Sequence, residues 1–148
     1  MQSDIIMGYN DSYKYIPNLS KPKCIVIDLD RTLIDETLKF MVSMWLTQNV
    51  HRVVFLTSKD ESHRIDIMKW INKNIDNVRF SIGSMNAELF MQPVYPSGND
   101  VEAKSKFFEL NIANKYNVTV IFDSNHESIN IWSSIGLKVW SQNNIEYV

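Results

Sequence analysis

Lys23-Cys24-Ile25-Val26-Ile27-Asp28-Leu29-Asp30-Arg31-Thr32-Leu33-Ile34-Asp35 is the stretch whose reading decides the fold. Cys24 to Ile27 is a short apolar run, largely β-branched and without polar alternation, as in a strand buried on both faces. It stops at Asp28, and Asp30 follows two places on. Side chains two apart in an extended chain project to the same side. Two carboxylates therefore leave the end of a buried strand together, and their repulsion calls for a cation or a retained proton. The carboxyl ends of strands are where open α/β sheets bind ligands. The plainer reading of any Asp-x-Asp is a strand end and a turn, with Thr32 capping the next segment. Four buried strand residues ahead of the pair, and Thr32 behind it, favour a site.

Strands and helices alternate outward from this stretch. A helix is expected over 36–48, with Leu38, Met41 and Trp45 on an apolar stripe. Val53 to Leu56 form a second buried run, ending at Thr57-Ser58-Lys59-Asp60. A helix over 61–73 should turn Ile65, Met68 and Ile71 inward, with Trp70 nearby. Residues 78–82 read as a third strand. Residues 84–101 hold Pro93, Pro96 and Gly98 and read as a loop containing a short strand at 89–91. A helix over 102–114, a strand over 118–122, a helix over 128–134 stopped near Gly136 and a last strand over 137–140 complete the chain. This alternation implies an α/β fold, a doubly wound three-layer sandwich with a mainly parallel sheet.

Composition narrows the function. At 148 residues the chain has the size of one domain with a proper core. Its net charge of −2 and pI near 5.9 exclude a global basic footprint for nucleic acid, leaving only a local patch. The single cysteine, Cys24, has no partner for an internal disulfide and reads as a small core residue. No apolar run reaches membrane-spanning length, and the first ten residues lack the layout of a secretory signal. A soluble, cytoplasmic protein without a membrane partner is expected. Residues 1–22 are read as an N-terminal arm, irregular or partly strand-like, packed on the domain or against a partner. Residues 23–148 are read as the domain itself.

Three further pieces stand at strand or helix ends. Thr57, with Ser58 beside it, places a hydroxyl where a strand meets a helix start, able to donate to a phosphoryl oxygen with help from adjacent N–H groups. Helix capping is the plainer role for either residue. Lys104 and Lys106 lie at the start of the helix over 102–114, and a lysine reaching the carboxylates would stabilise charge on a transferring group. Asp123 directly follows the strand over 118–122. Hard oxygen ligands from Asp28, Asp123 and a backbone carbonyl suit Mg²⁺.

The pattern Asp28-x-Asp30-x-Thr32, followed in order by Thr57, a lysine and Asp123, resembles the four motifs of the haloacid dehalogenase (HAD) superfamily of phosphotransferases. Within it, the C-terminal half is similar to the 3′-phosphatase domain of bacteriophage polynucleotide kinases. The runs that carry this likeness are Leu89-Phe90-Met91, Asp100-Val101-Glu102-Ala103-Lys104, Asn111-Ile112-Ala113 with Tyr116-Asn117-Val118, Ile121-Phe122-Asp123, Ile131-Trp132 and Gly136-Leu137-Lys138-Val139-Trp140, with Met68-Lys69-Trp70. The resemblance spans Lys23 to about Ser141, and it selects Lys104 over Lys106. It implies an Mg²⁺-dependent phosphomonoester hydrolase with Asp28 as nucleophile and Asp30 as general acid and base. Thr57 and Lys104 would hold the transferring oxygens, and Asp28, Asp30 and Asp123 would form the metal set. Arg31, Thr32, Ser58 and Lys59 are the expected substrate contacts, Arg31 replacing a glycine found in many members. The chain departs from the phage pattern at Ser124 and Asn125, where that pattern has Asp and Arg; Glu127 stands one helix turn on.

Small-metabolite HAD enzymes usually carry a cap domain, and neither the span from Asp30 to Thr57 nor that from Thr57 to Lys104 has room for a substantial one. An open site suits a nucleic-acid 3′-phosphate end, or a nucleotide closed over by a second subunit of a homo-oligomer. Residues 84–101 are the expected specificity element. Three readings stand: a phosphatase on nucleic-acid 3′ ends, a phosphatase on nucleotides or a nucleotide signal, and a non-catalytic HAD scaffold that binds a nucleotide.

Overall fold

The computed structural model describes residues 13–30, 34–48, 52–81, 83–91 and 100–141, with the main chain only at 100–102 and 104. The apolar run of the opening stretch becomes β1 (Lys23–Asp28), buried from Cys24 onward on both faces. Beside it lie β2 (Arg52–Thr57) and β4 (Asn117–Phe122), flanked by β3 (Ala87–Met91) and β5 (Val139–Trp140). The described strands form one parallel sheet in the order β3-β2-β1-β4-β5. The direction of winding reverses between β1 and β4, and a crevice opens beyond the carboxyl ends of strands at such a point.

Alternation along the strands divides the core in two. Ile25, Ile27, Val53, Phe55, Leu89 and Phe122 face one layer, with Leu38, Val42 and Leu46 of α1 (Glu36–Thr47) and Ile71 of α2 (Arg64–Asn74). Cys24, Val26, Val54, Val118 and Ile121 face the other, with Phe108 and Ile112 of α3 (Asp100–Asn111) and Trp132 of α4 (His126–Ser134). The fold is thus the expected α/β three-layer sandwich, and no cap domain stands among the described residues. Burying Leu38, Val42 and Leu46 contributes about 1.5–3 kcal/mol per side chain, which fixes α1 on the sheet.

Three local expectations are corrected. Residues 78–80 join no ladder of the described sheet. Their polar groups are met by Asn86, whose side chain accepts from the Arg79 N–H (2.8 Å) and donates to the Asn77 carbonyl (2.8 Å). Val78 is buried and Phe80 packs on Phe55, so the apolar residues close the end of the core without pairing. Ile82 lies outside the described residues. Ile65 is exposed (64%), because the helix opens with a 3₁₀ turn at Glu61–His63 and its inward stripe runs through Ile67, Met68 and Ile71. The expected loop over 84–101 is also shorter, since β3 fills 87–91 and α3 begins at Asp100; residues 92–99 lie outside the described ones.

Of the N-terminal arm, residues 13–22 are described, and Tyr15 is buried against the second layer of the core. Its hydroxyl donates to the Tyr116 carbonyl (3.2 Å) and accepts from the Val118 N–H (2.7 Å). Its own N–H donates to the Ile135 carbonyl (2.7 Å). Gly136 ends α4 at φ +99°, a left-handed conformation that costs other residues energy, and the Leu137 N–H closes the helix end on the Trp132 carbonyl.

Candidate active site

The described candidates Asp28, Asp30, Thr57, Ser58 and Asp123 stand at the carboxyl edge of the sheet. Asp28 ends β1 and is fully buried. Ile27 is level with Phe122, so Asp123, the residue after β4, stands level with Asp28 across the reversal point. Neighbouring strands lie about 4.8 Å apart. Alternation puts both carboxylates on the α3–α4 side, continuing Val26 and Ile121. Asp123 is fully buried as well.

The backbone aims these groups. The Asp30 N–H donates to Asp28 Oδ1 (2.9 Å), bending the chain back over the strand end. The Leu29 N–H continues the ladder to the Leu56 carbonyl (2.8 Å). Asp123 is gripped on both oxygens: the Asn125 N–H donates to Oδ1 (2.9 Å) and Trp132 Nε1–H to Oδ2 (3.0 Å). Asn125 has a second task, since its side chain caps α4 by accepting from the Ser128 N–H (3.0 Å). An asparagine here thus starts the helix that carries Trp132 back to Asp123. Trp132 was legible only as part of a family likeness; its signal is a tryptophan on the inward face of a short helix, nine residues after a strand-end Asp.

Asp30 turns away from this pair. Thr57 Oγ1 donates to its Oδ1 (2.8 Å) and the Ser58 N–H to its Oδ2 (2.8 Å). Thr57 is buried, Asp30 partly exposed, and the Lys59 N–H supports the Thr57 hydroxyl (3.3 Å). Neither Thr57 nor Ser58 caps the following turn; Asp60 does, accepting from the Ser62 N–H. Ser58 and Lys59 meet the site through their main chain, and the Lys59 side chain is exposed. The structure therefore brings together Asp28, Asp30, Thr57, Ser58 and Asp123. Arg31 and Thr32 lie outside the described residues, as does the Lys104 side chain, whose main chain sits one helical turn before the buried Phe108. Lys106 lies near Glu109 (3.7 Å), half exposed on the surface.

Two buried carboxylates level on adjacent strands suit a small hard cation, whose charge would offset their repulsion. Among the described residues no three Asp, Glu, His or Cys side chains converge as a ready metal cluster. Asp30 commits its carboxylate to β2, which leaves its main chain as the part available to an ion, and Glu127 is exposed on the first turn of α4. A surface cleft of about 520 Å³ between α2 and residues 78–84 lies at the opposite, amino end of the sheet and has no part in this site.

The winding order and the strand-end carboxylates define a phosphatase domain of the HAD type. More narrowly, the family model described as "Polynucleotide kinase PNKP phosphatase domain" matches residues 35–147, and the chain belongs to that family. The match includes Thr57, Lys104 and Asp123 and begins after Asp30. Among solved structures, the chain is similar to one titled "Structure of Pnkp1/Rnl/Hen1 complex", at TM-score 0.68 and 20% identity over 87% of this chain and 49% of that one. It is also similar to "Structure of the Pnkp1/Rnl/Hen1 RNA repair complex", at TM-score 0.67 and 20% identity over 88% of this chain and 45% of that one. At this identity the likeness concerns the fold, and the chain spans about half the length of the solved chains it matches. A comparison with curated proteins gives no match.

Proposed function

We propose that the chain hydrolyses phosphomonoesters at nucleic-acid 3′ ends through a covalent intermediate on Asp28. The observation that carries this reading is the pairing of Asp28 and Asp123 at the reversal point, with Asp30 held apart from them by Thr57 and Ser58. Asp28 is fixed at the strand end by the Asp30 N–H, which suits a positioned nucleophile; Asp30 is partly exposed and oriented by Thr57 and Ser58, which suits a proton carrier.

In the proposed sequence, an Asp28 oxygen attacks phosphorus and the bond to the leaving oxygen breaks. Asp30 gives that oxygen its proton. Asp30 then removes a proton from water, the water oxygen attacks phosphorus, and inorganic phosphate leaves as the Asp28 carboxylate is restored. Lys104 neutralises charge on the transferring oxygens, and Thr57 holds Asp30 in place between the two half-reactions. Asp28, Asp123 and the main chain of Asp30 would hold Mg²⁺, which supplies charge neutralisation for the phosphoryl oxygens. Ser58 and Lys59, with Arg31 and Thr32, are the residues assigned to substrate contact in this reading.

The family description and the RNA repair title of a structural relative support a polynucleotide end as substrate. The absence of a cap among the described residues supports it too, because an open edge admits a long strand. The net charge of −2 favours a second reading, a mononucleotide or other small phosphoester, with a second copy of the chain closing the site. The test is phosphate release in Mg²⁺ from an oligonucleotide 3′-phosphate and from mononucleotides side by side. Preference for the oligonucleotide, weakening with salt, is the expected result. Turnover of mononucleotides alone moves the assignment to the second reading, and silence on both returns the chain to a binding scaffold.

A further inference from the structure

Ser141 follows β5 and is 3% exposed, yet its hydroxyl has no hydrogen-bond partner, alone among the buried side-chain oxygens and nitrogens of the described residues. Buried polar groups are nearly always paired, so an orphan marks a place where something else belongs. Its position says what. The Asp123 N–H donates to the Trp140 carbonyl (3.1 Å), which extends the β4–β5 ladder one step beyond Phe122 and Trp140 and sets Ser141 level with Asp123. Level residues on parallel strands project to the same face. Trp140 stacks near Phe122 on the α1 side, so Ser141 turns to the α4 side, where Trp132 grips Asp123.

The row of strand ends on that face therefore reads Asp28, Asp123, Ser141. A small divalent cation held by two carboxylates keeps several waters. Waters polarised by a cation are strong donors and need acceptors. Both Asp123 oxygens already take protein donors, and the Asp30 carboxylate is bound to Thr57 and Ser58. The Ser141 hydroxyl is the buried acceptor left without a task. We propose that Ser141 is a positioning residue of the metal centre, its hydroxyl accepting a hydrogen bond from a water of the cation held by Asp28 and Asp123. This rests on the metal assignment in the proposed function.

Magnesium is titrated into the full chain without substrate, and the Trp132 indole N–H resonance is followed, since its partner Asp123 would carry the ion. The Ser141→Ala protein is compared with wild type, with thermal melting of both metal-free proteins. The expected result is an Mg²⁺ midpoint raised about fivefold by loss of one hydrogen bond to the hydration shell. The metal-free melting temperature should be unchanged or raised by about 2 °C, because an unpaired buried hydroxyl has been removed. In wild type, the Ser141 resonances should move with the same midpoint as Trp132. A midpoint within twofold of wild type in Ser141→Ala, or wild-type Ser141 resonances that stay still while Trp132 moves, overturns this inference alone. A Trp132 resonance indifferent to Mg²⁺ in wild type overturns it together with the metal assignment.

Discussion

Cys24 and Asp28 stand four residues apart on one strand, and burial serves them differently. Burial pushes the Cys24 thiol well above its ordinary range, with Glu88 adding to the effect, so at neutral pH it carries no thiolate and packs as a small apolar group. Native protein at pH 8 should leave Cys24 unmodified by a thiol reagent over hours and expose it fully in urea; rapid native labelling would mean the strand is not closed. Trp132 carries a prediction of the opposite kind. Replacing it by Phe keeps most of the ring in the core but withdraws the donor from a buried carboxylate. The loss should be about 2 kcal/mol in urea unfolding, in line with hydrogen bonds to charged groups. A change under about 0.5 kcal/mol, below the range for such bonds, would mean the bond to Asp123 contributes nothing.

Among the elements, the arm around Tyr15 is fastened most specifically. Tyr15→Phe removes the acceptor of the buried Val118 N–H while leaving the ring against Phe108. An unsatisfied buried donor costs about 1–3 kcal/mol, and the variant should lose that much stability by denaturant titration. A neutral effect would show that the arm is not structurally coupled to β4. The elements were also the most legible part of the sequence. Short, β-branched apolar runs such as Val53 to Leu56 read as buried strands, and Asp28, Thr57 and Asp123 announced their ends by an abrupt change of polarity. Residues 78–82 misled because Val78, Phe80 and Ile82 alternate with polar residues as in a half-buried strand, and burial there is achieved through Val78 and Phe80 while Asn86 takes the backbone bonds. Ile65 misled because a 3₁₀ turn shifts the helix phase, which periodicity alone does not register. Asn125 and Trp132 could not be placed at Asp123 from the sequence, since that contact depends on how α4 folds back over β4. The orphan hydroxyl of Ser141 is likewise visible only once the last strand is in register.

At the scale of the whole molecule, the tyrosines govern alkaline stability. Burial, helped by Glu109 and Tyr15, pushes Tyr13 up to about 12, and burial also raises Tyr15. Tyr116 is raised by burial and by its hydrogen bond to Glu88. In the unfolded chain these phenols lose their protons near pH 10, whereas the folded chain retains them. Stability from this source is therefore complete below pH 10 and is lost as pH rises through the raised folded values, about 12 for Tyr13. Urea midpoints should be equal at pH 8 and 9 and clearly lower at pH 11, with tyrosinate absorbance appearing together with unfolding. A midpoint unchanged at pH 11 would contradict the burial of these side chains.

The molecule's organisation nonetheless turns on one atom group, the Asp28 carboxylate at the winding reversal. Its role is tested most directly by acid-quenching the protein during turnover of a ³²P-labelled 3′-phosphorylated oligonucleotide in Mg²⁺ and mapping any label that stays on the chain. Label should be recovered on the peptide containing Asp28, labile to base, and Asp28→Asn should neither retain label nor release phosphate. Sustained phosphate release by Asp28→Asn, or label mapping to another residue, would contradict the account.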